Sequence, residues 1–128
     1  MSNKVLLTGI SGWIAKHTAI ELLNSGYEVL GTVRNKNLIE QTKETLSKYV
    51  SIEKLSFVEL DLIKDDGWDE AAKGCKYIFH IASPFPMKVS NNREILLPPA
   101  VDGTLRVLKA GVNAGVEQII KTLSLIHI

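Results

Sequence analysis

The stretch Thr8 to Ala15 reads Thr-Gly-Ile-Ser-Gly-Trp-Ile-Ala. It constrains the chain more than any other segment. An apolar run, Val5-Leu6-Leu7, leads into it and an amphipathic segment leads out. That order predicts a strand, a tight glycine turn and a helix whose start faces an anion. Gly9 permits turn conformations that a Cβ disfavours, Gly12 lets a pyrophosphate approach the backbone, and Ala15 lets the helix pack closely on the strand. Amides at the helix start, aided by the helix dipole, then face the phosphates. The spacing, Gly-x-x-Gly-x-x-Ala, differs from the Gly-x-Gly-x-x-Gly of many dehydrogenases, and alone it would also fit a purely structural turn. The test of the nucleotide reading is a continuing alternation of strand and helix.

The chain supplies that alternation. Strands are expected at 5–7, 28–33, 55–60, 77–81 and 118–121. Helices are expected at 13–25, 38–49, in a short segment from the acidic run Asp65–Glu70 to about Lys73, and at 98–113. Expected inner stripes are Ala15, Ala19, Leu22 and Leu23 in the first helix and Leu38, Ile39, Thr42, Leu46 and Tyr49 in the second. Val101, Leu105, Leu108 and Val112 form that of the last. Gly26 is the expected C-cap of the first helix. Pro98 and Pro99 suit the first turn of the last helix, where missing amides cost little. Met87 to Arg93 is read as a polar surface segment. Alternation of this kind argues an α/β doubly wound parallel sheet, Rossmann-like, with five strands in the order 3-2-1-4-5 and incomplete at one edge. Bound ligand belongs at the carboxyl ends of the strands, across the switch between the first and fourth.

With 128 residues, one domain is expected. Lys plus Arg number 15 against 14 for Asp plus Glu, so charge gives no reason to expect a nucleic acid or membrane partner. The lone Cys75 excludes an internal disulfide and fits a reducing, cytoplasmic setting. No metal site is expected from the acidic run, whose carboxylates suit the first turn of a helix.

The end of the second strand discriminates between cofactors. An NAD enzyme usually places an acid there to hold the ribose 2′-hydroxyl. Here Arg34 follows Val33. Its guanidinium suits the 2′-phosphate of NADP, unless it is an ordinary solvated arginine. Lys36 or Lys43 would add charge. Asp61 is placed to accept from the adenine amino group, with Leu62 lining that pocket. Ala82, Ser83 and Pro84 follow the fourth strand, where the central ribose and nicotinamide are expected. The cofactor set is therefore Thr8, Gly9, Ser11, Gly12, Trp13 and Ile14 with Arg34, Asp61, Leu62 and Ala82-Ser83-Pro84. His80 and Cys75 are expected to be packed residues, and His17 a solvated one.

Taken together, several stretches carry a resemblance. They are Val5–Ala15, Gly31-Thr32-Val33-Arg34, Asp61-Leu62, Gly67-Trp68-Asp69-Glu70-Ala71, Gly74-Cys75, His80–Pro86 and Pro99–Thr104. The chain resembles the extended short-chain dehydrogenase/reductase superfamily in its dihydroflavonol reductase and cinnamoyl-CoA reductase-like branch, over nearly everything up to Thr122. The resemblance implies an NADP-dependent reductase of aldehydes or ketones. It maps that family's glycine turn onto Gly9, Gly12 and Ala15, the phosphate arginine onto Arg34, and the adenine-site pair onto Asp61 and Leu62. Two positions depart from the family: Arg106 stands where many members carry Asn, and Gln41 where plant relatives carry a phosphate-binding Lys.

The family reduces its substrate with a Ser and a Tyr-x-x-x-Lys pair. The residues four beyond Tyr27, Tyr49 and Tyr77 are Gly31, Glu53 and Ile81, so the pair is absent here and no catalytic residue is assigned. The chain is expected to be the amino-terminal cofactor part, 1–122, of a longer reductase, inactive by itself. The alternatives are a non-catalytic NADP-binding sensor or scaffold and a nucleotide-sugar epimerase or dehydratase. Residues 123–128 read as the translation of CTG TCT CTT ATA CAC ATC, a transposon-adapter end, and are expected to be a non-native tail.

Overall fold

A computed structural model describes residues 3–62, 67–81 and 93–121, with the backbone alone for 93–101. In chain order the elements are β1 (Lys4–Thr8), α1 (Trp13–Asn24), β2 (Glu28–Val33), α2 (Leu38–Ser47), β3 (Leu55–Glu59), α3 (Trp68–Ala72), β4 (Tyr77–His80), α4 (Arg93–Ala114) and β5 (Gln118–Lys121). The strands form one sheet, β3-β2-β1-β4-β5, and every pairing is parallel. This is the doubly wound order expected from the sequence, with β3 and β5 as open edges among the described residues.

Alternation along β1 splits the core in two. Val5 and Leu7 face α1 and α2, where they meet Ala15, Ala19, Leu22 and Leu46. Leu6 faces the other way, towards α3 and α4, and joins Ile78, Trp68, Ala71, Ala72, Val107 and Ala110. Both faces of the central strands are thus covered, which explains why Val5-Leu6-Leu7 is apolar without a break. No described helix is both long and apolar enough to cross a membrane.

Local signals place the helix ends well. Gly26 has φ +90°, its amide reaches the Leu23 carbonyl at 3.2 Å, and the Tyr27 amide reaches that of Leu22 at 3.1 Å. This pair of bonds is the Schellman ending expected of a glycine just past a helix. In α2, Thr42 and Leu46 are buried as expected. Tyr49 is not: the helix stops at Ser47 and the ring is 68% exposed.

The last helix differs from expectation in two ways. It begins at Arg93, not Pro98, so both prolines lie beyond its first turn. Each proline there lacks the amide that would have reached a carbonyl one turn back, and its ring crowds that carbonyl, which is the ordinary cost of proline inside a helix. Its buried face is also not the Leu-rich one. Val107 and Ala110 are fully packed, while Leu105, Leu108 and Val112 are 44%, 39% and 77% exposed. Val101 falls among the residues whose side chains are outside the description.

Candidate cofactor site

The site is built along the carboxyl edge of the sheet, where a row of hydrogen bonds ties successive strand ends together. At the switch point between β1 and β4, the Ile81 amide donates to Thr8 Oγ1 at 2.9 Å. Across β1 and β2, the Gly9 amide donates to Thr32 Oγ1 and the Ile10 amide to the Thr32 carbonyl, both at 3.0 Å. Across β2 and β3, the Leu60 amide donates to the Val33 carbonyl at 2.9 Å. The loops that follow these strands are therefore held side by side.

The glycine turn has the geometry its sequence implies. Gly9 adopts φ +69°, and the Gly12 amide closes the turn on the Gly9 carbonyl at 2.9 Å. Gly12 caps α1 in extended conformation without a side-chain hydrogen bond. The first-turn amides of Trp13 and Ile14 thus have no side-chain acceptor among the described residues and sit at an open surface, with the indole of Trp13 77% exposed. Thr8 is buried and Ser11 half-buried beside them. His17, one turn on, is exposed and meets the Trp13 ring edge-to-face at 5.1 Å.

Gly31 explains how the turn sits so close to β2. A Cβ there would lie 2.6 Å from Ile10 Cδ1 and 2.9 Å from Ile10 Cβ. Only a residue without a side chain lets Ile10 bury itself against the strand. Neither Gly31 nor Thr32 is among the residues that the sequence alone points to as the cofactor set. Both fall in the Gly-Thr-Val-Arg stretch that carried the resemblance, which was the available signal.

Arg34 leaves the end of β2 into solvent and has no hydrogen-bond or ion-pair partner among the described residues. Lys36 is exposed nearby, and its amide donates to Glu59 Oε2 at 2.9 Å. Lys43 is engaged elsewhere: its ammonium lies 6.0 Å from the centre of the Phe57 ring, in the α2–sheet layer.

Asp61 is half-buried and Leu62 buried, at the end of β3. Their backbone is held from two sides. The Trp68 indole donates to the Asp61 carbonyl at 3.1 Å, and an Arg106 guanidinium N–H donates to the Leu62 carbonyl. Arg106 thus ties α4 to the loop after β3, a link that no local pattern announces. Ala82, Ser83 and Pro84 lie outside the described residues.

His80 and Cys75 are packed, as expected. His80 is 1% exposed, with Nδ1 at 2.9 Å from Thr8 Oγ1 and Nε2 buried without a partner among the described residues. Burial, reinforced by the Lys121 cation beside it, lowers its pKa to about 4. Cys75 points its thiol at the Ala71 carbonyl, and burial pushes its pKa up.

A parallel sheet in this order, with a glycine turn opening a helix at its switch point, defines a doubly wound nucleotide-binding fold. The model of the NAD dependent epimerase/dehydratase family matches residues 5–125, and the chain belongs to that family. It is 37% identical to tetraketide alpha-pyrone reductase 1 of Arabidopsis thaliana over 122 residues, covering 94% of this chain and 37% of that protein. To dihydroflavonol 4-reductase of Hordeum vulgare it is 35% identical over 121 residues, covering 94% of this chain and 34% of the relative. The fold superposes on yeast methylglyoxal/isovaleraldehyde reductase Gre2 complexed with NADPH with a TM-score of 0.79 at 29% identity, over 94% of this chain and 37% of that one. These relatives bear out the resemblance seen in the sequence. The chain spans little more than a third of the length of each.

Proposed function

We propose that this chain is the cofactor-binding part of an NADP(H)-dependent reductase that converts an aldehyde or ketone to an alcohol. The observation that carries the reading is Arg34. It stands where a carboxylate would select NAD, it is exposed, and no described residue pairs with it. The glycine turn fits the rest of the ligand, since no described side chain caps the amides that follow Gly12 at an open surface. Relatives named as reductases, one of them in complex with NADPH, support the same reading.

Each group has a defined task. The first-turn amides of α1, at Trp13 and Ile14, hold the pyrophosphate, with Thr8, Gly9, Ser11 and Gly12 shaping the turn. Arg34 forks onto the 2′-phosphate. Asp61 and Leu62, fixed by Trp68 and Arg106, receive the adenine. Ala82, Ser83 and Pro84 serve the ribose and nicotinamide side. Bound NADPH supplies the hydride. The chain holds no Tyr with Lys four residues later, so it contains no such proton donor, and we expect binding without turnover.

Two other readings make different demands. A non-catalytic NADP sensor shares the binding site and differs only in lacking turnover within the longer protein. A nucleotide-sugar epimerase or dehydratase shares the fold and the glycine turn, and an arginine in place of the acid, with no partner among the described residues, disfavours it where its cofactor is NAD. Titrating NADPH and NADH by tryptophan fluorescence tests the cofactor choice. The wild type should favour NADPH about tenfold or more, and Arg34→Ala should abolish the preference. Equal affinities in the wild type would refute it.

A further inference from the structure

The turn that carries Arg34 is held by an acid from the neighbouring strand. Val33, the last residue of β2, pairs in register with Glu59, the last of β3. Four residues, Arg34 to Asn37, then connect to α2 at Leu38. Within this turn the Asn37 amide donates to Asn35 Oδ1 at 2.9 Å, a local contact that travels with the turn. The Lys36 amide instead donates to Glu59 Oε2 at 2.9 Å, and this side-chain bond anchors the turn to the sheet.

The bond has an electrostatic consequence. A carboxylate at the end of the adjacent strand is a natural partner for an arginine at the end of this one. Here Glu59 turns to an amide, and Arg34 has no partner among the described residues. A charge-assisted bond to a backbone amide is also directional, so it fixes where the turn sits as well as occupying the acid.

We propose that Glu59 is a positioning residue for cofactor selection: it latches the Lys36 amide, fixes the turn bearing Arg34, and leaves the guanidinium available for a 2′-phosphate. The proposal rests on the NADP reading given above. It assigns to β3 a part of the specificity that is ordinarily sought at the end of β2.

The test uses the 128-residue chain as wild type, Glu59→Ala and Glu59→Gln. Each is titrated with NADPH and with NADH, and amide exchange at Lys36 is followed by NMR. Glu59→Ala should weaken NADPH about three- to tenfold, as expected for one net hydrogen bond, and change NADH less than about twofold. Glu59→Gln keeps an oxygen that accepts from Lys36 and should stay within about twofold of wild type for NADPH. Lys36 exchange should quicken in the alanine variant and not in the glutamine one. A carboxylate that merely repels phosphate would give the opposite sign, with both variants binding NADPH more tightly, and would overturn the proposal. Equal weakening of both cofactors, or no change in either, would overturn it while leaving the NADP reading intact. A wild type that binds neither cofactor would overturn the NADP reading and this inference with it.

Discussion

Acidification should destabilise this fold through one residue, His80. The imidazole is buried at the carboxyl end of β4, bonded to Thr8 and, among the described residues, lacking a partner for Nε2. The neutral ring is favoured there over the charged one, because burial and the Lys121 cation both oppose the charge. Its pKa falls from the ordinary 6.5 to about 4 in the folded chain. Well above pH 6.5 neither state carries the proton and stability is at its full value. As pH drops below 6.5 the unfolded chain takes up a proton that the folded chain refuses, and stability declines until about pH 4, where both are protonated. The gap corresponds to about 3 kcal/mol, a large share of the stability of a small domain.

Urea unfolding of wild type and His80→Asn at pH values from about 4 to 7.5 isolates this contribution, since carboxylates titrate alike in both proteins. The asparagine variant is expected to be the less stable at neutral pH, having lost packing volume. The difference in unfolding free energy, wild type minus variant, should shrink by about 3 kcal/mol between the two ends of the range. A difference that stays constant with pH would refute the reasoning, and one that grows on acidification would reverse its sign.

Two further outcomes follow from the turn. Gly12→Val should leave the fold in place, since Gly12 is extended and a Cβ meets only the Gly9 carbonyl at 3.3 Å; the branched side chain should nevertheless weaken NADPH about tenfold or more. Unchanged affinity in a folded variant would show that the pyrophosphate lies elsewhere. Gly31→Ala should destabilise by about 1–3 kcal/mol, because the new Cβ meets Ile10 at its own Cβ, 2.9 Å away, where no rotamer change relieves the contact. An unaltered urea midpoint would contradict this.

Most of the architecture was legible because it repeats. Five apolar runs separated by helical patterns leave few topologies, and a glycine turn after the first run selects among them. The strand-end residues were legible for the same reason: once the strands are placed, Arg34 and Asp61 must lie on the carboxyl edge. What the sequence did not announce are single contacts across long separations. The Thr32 hydroxyl reaches Gly9 over 23 positions, the Glu59 carboxylate reaches Lys36 over the same span, and Arg106 reaches Leu62 over 44. A lone polar residue carries no period, so nothing in its neighbourhood says which distant amide or carbonyl it will meet.

The misplaced face of α4 has a different origin, because there the period was present twice. Advancing about 100° per residue, Leu105, Leu108 and Val112 share one side of the helix. Gly103, Val107, Ala110 and Gly111 share another, roughly 150° away. Hydrophobicity favours the first set, yet the second is buried. Volume decides the matter. The sheet surface beneath α4 is already filled by large side chains, Leu6 and Ile78 with Ile119 beside them. A Cβ on Gly111 would stand 2.6 Å from Ile119 Cδ1. Close packing then requires small residues on the helix side of the contact, since interior space is filled once. Where strands supply the bulk, the helix face that meets them is the one rich in glycine and alanine, and a hydrophobicity-weighted stripe picks out the opposite side.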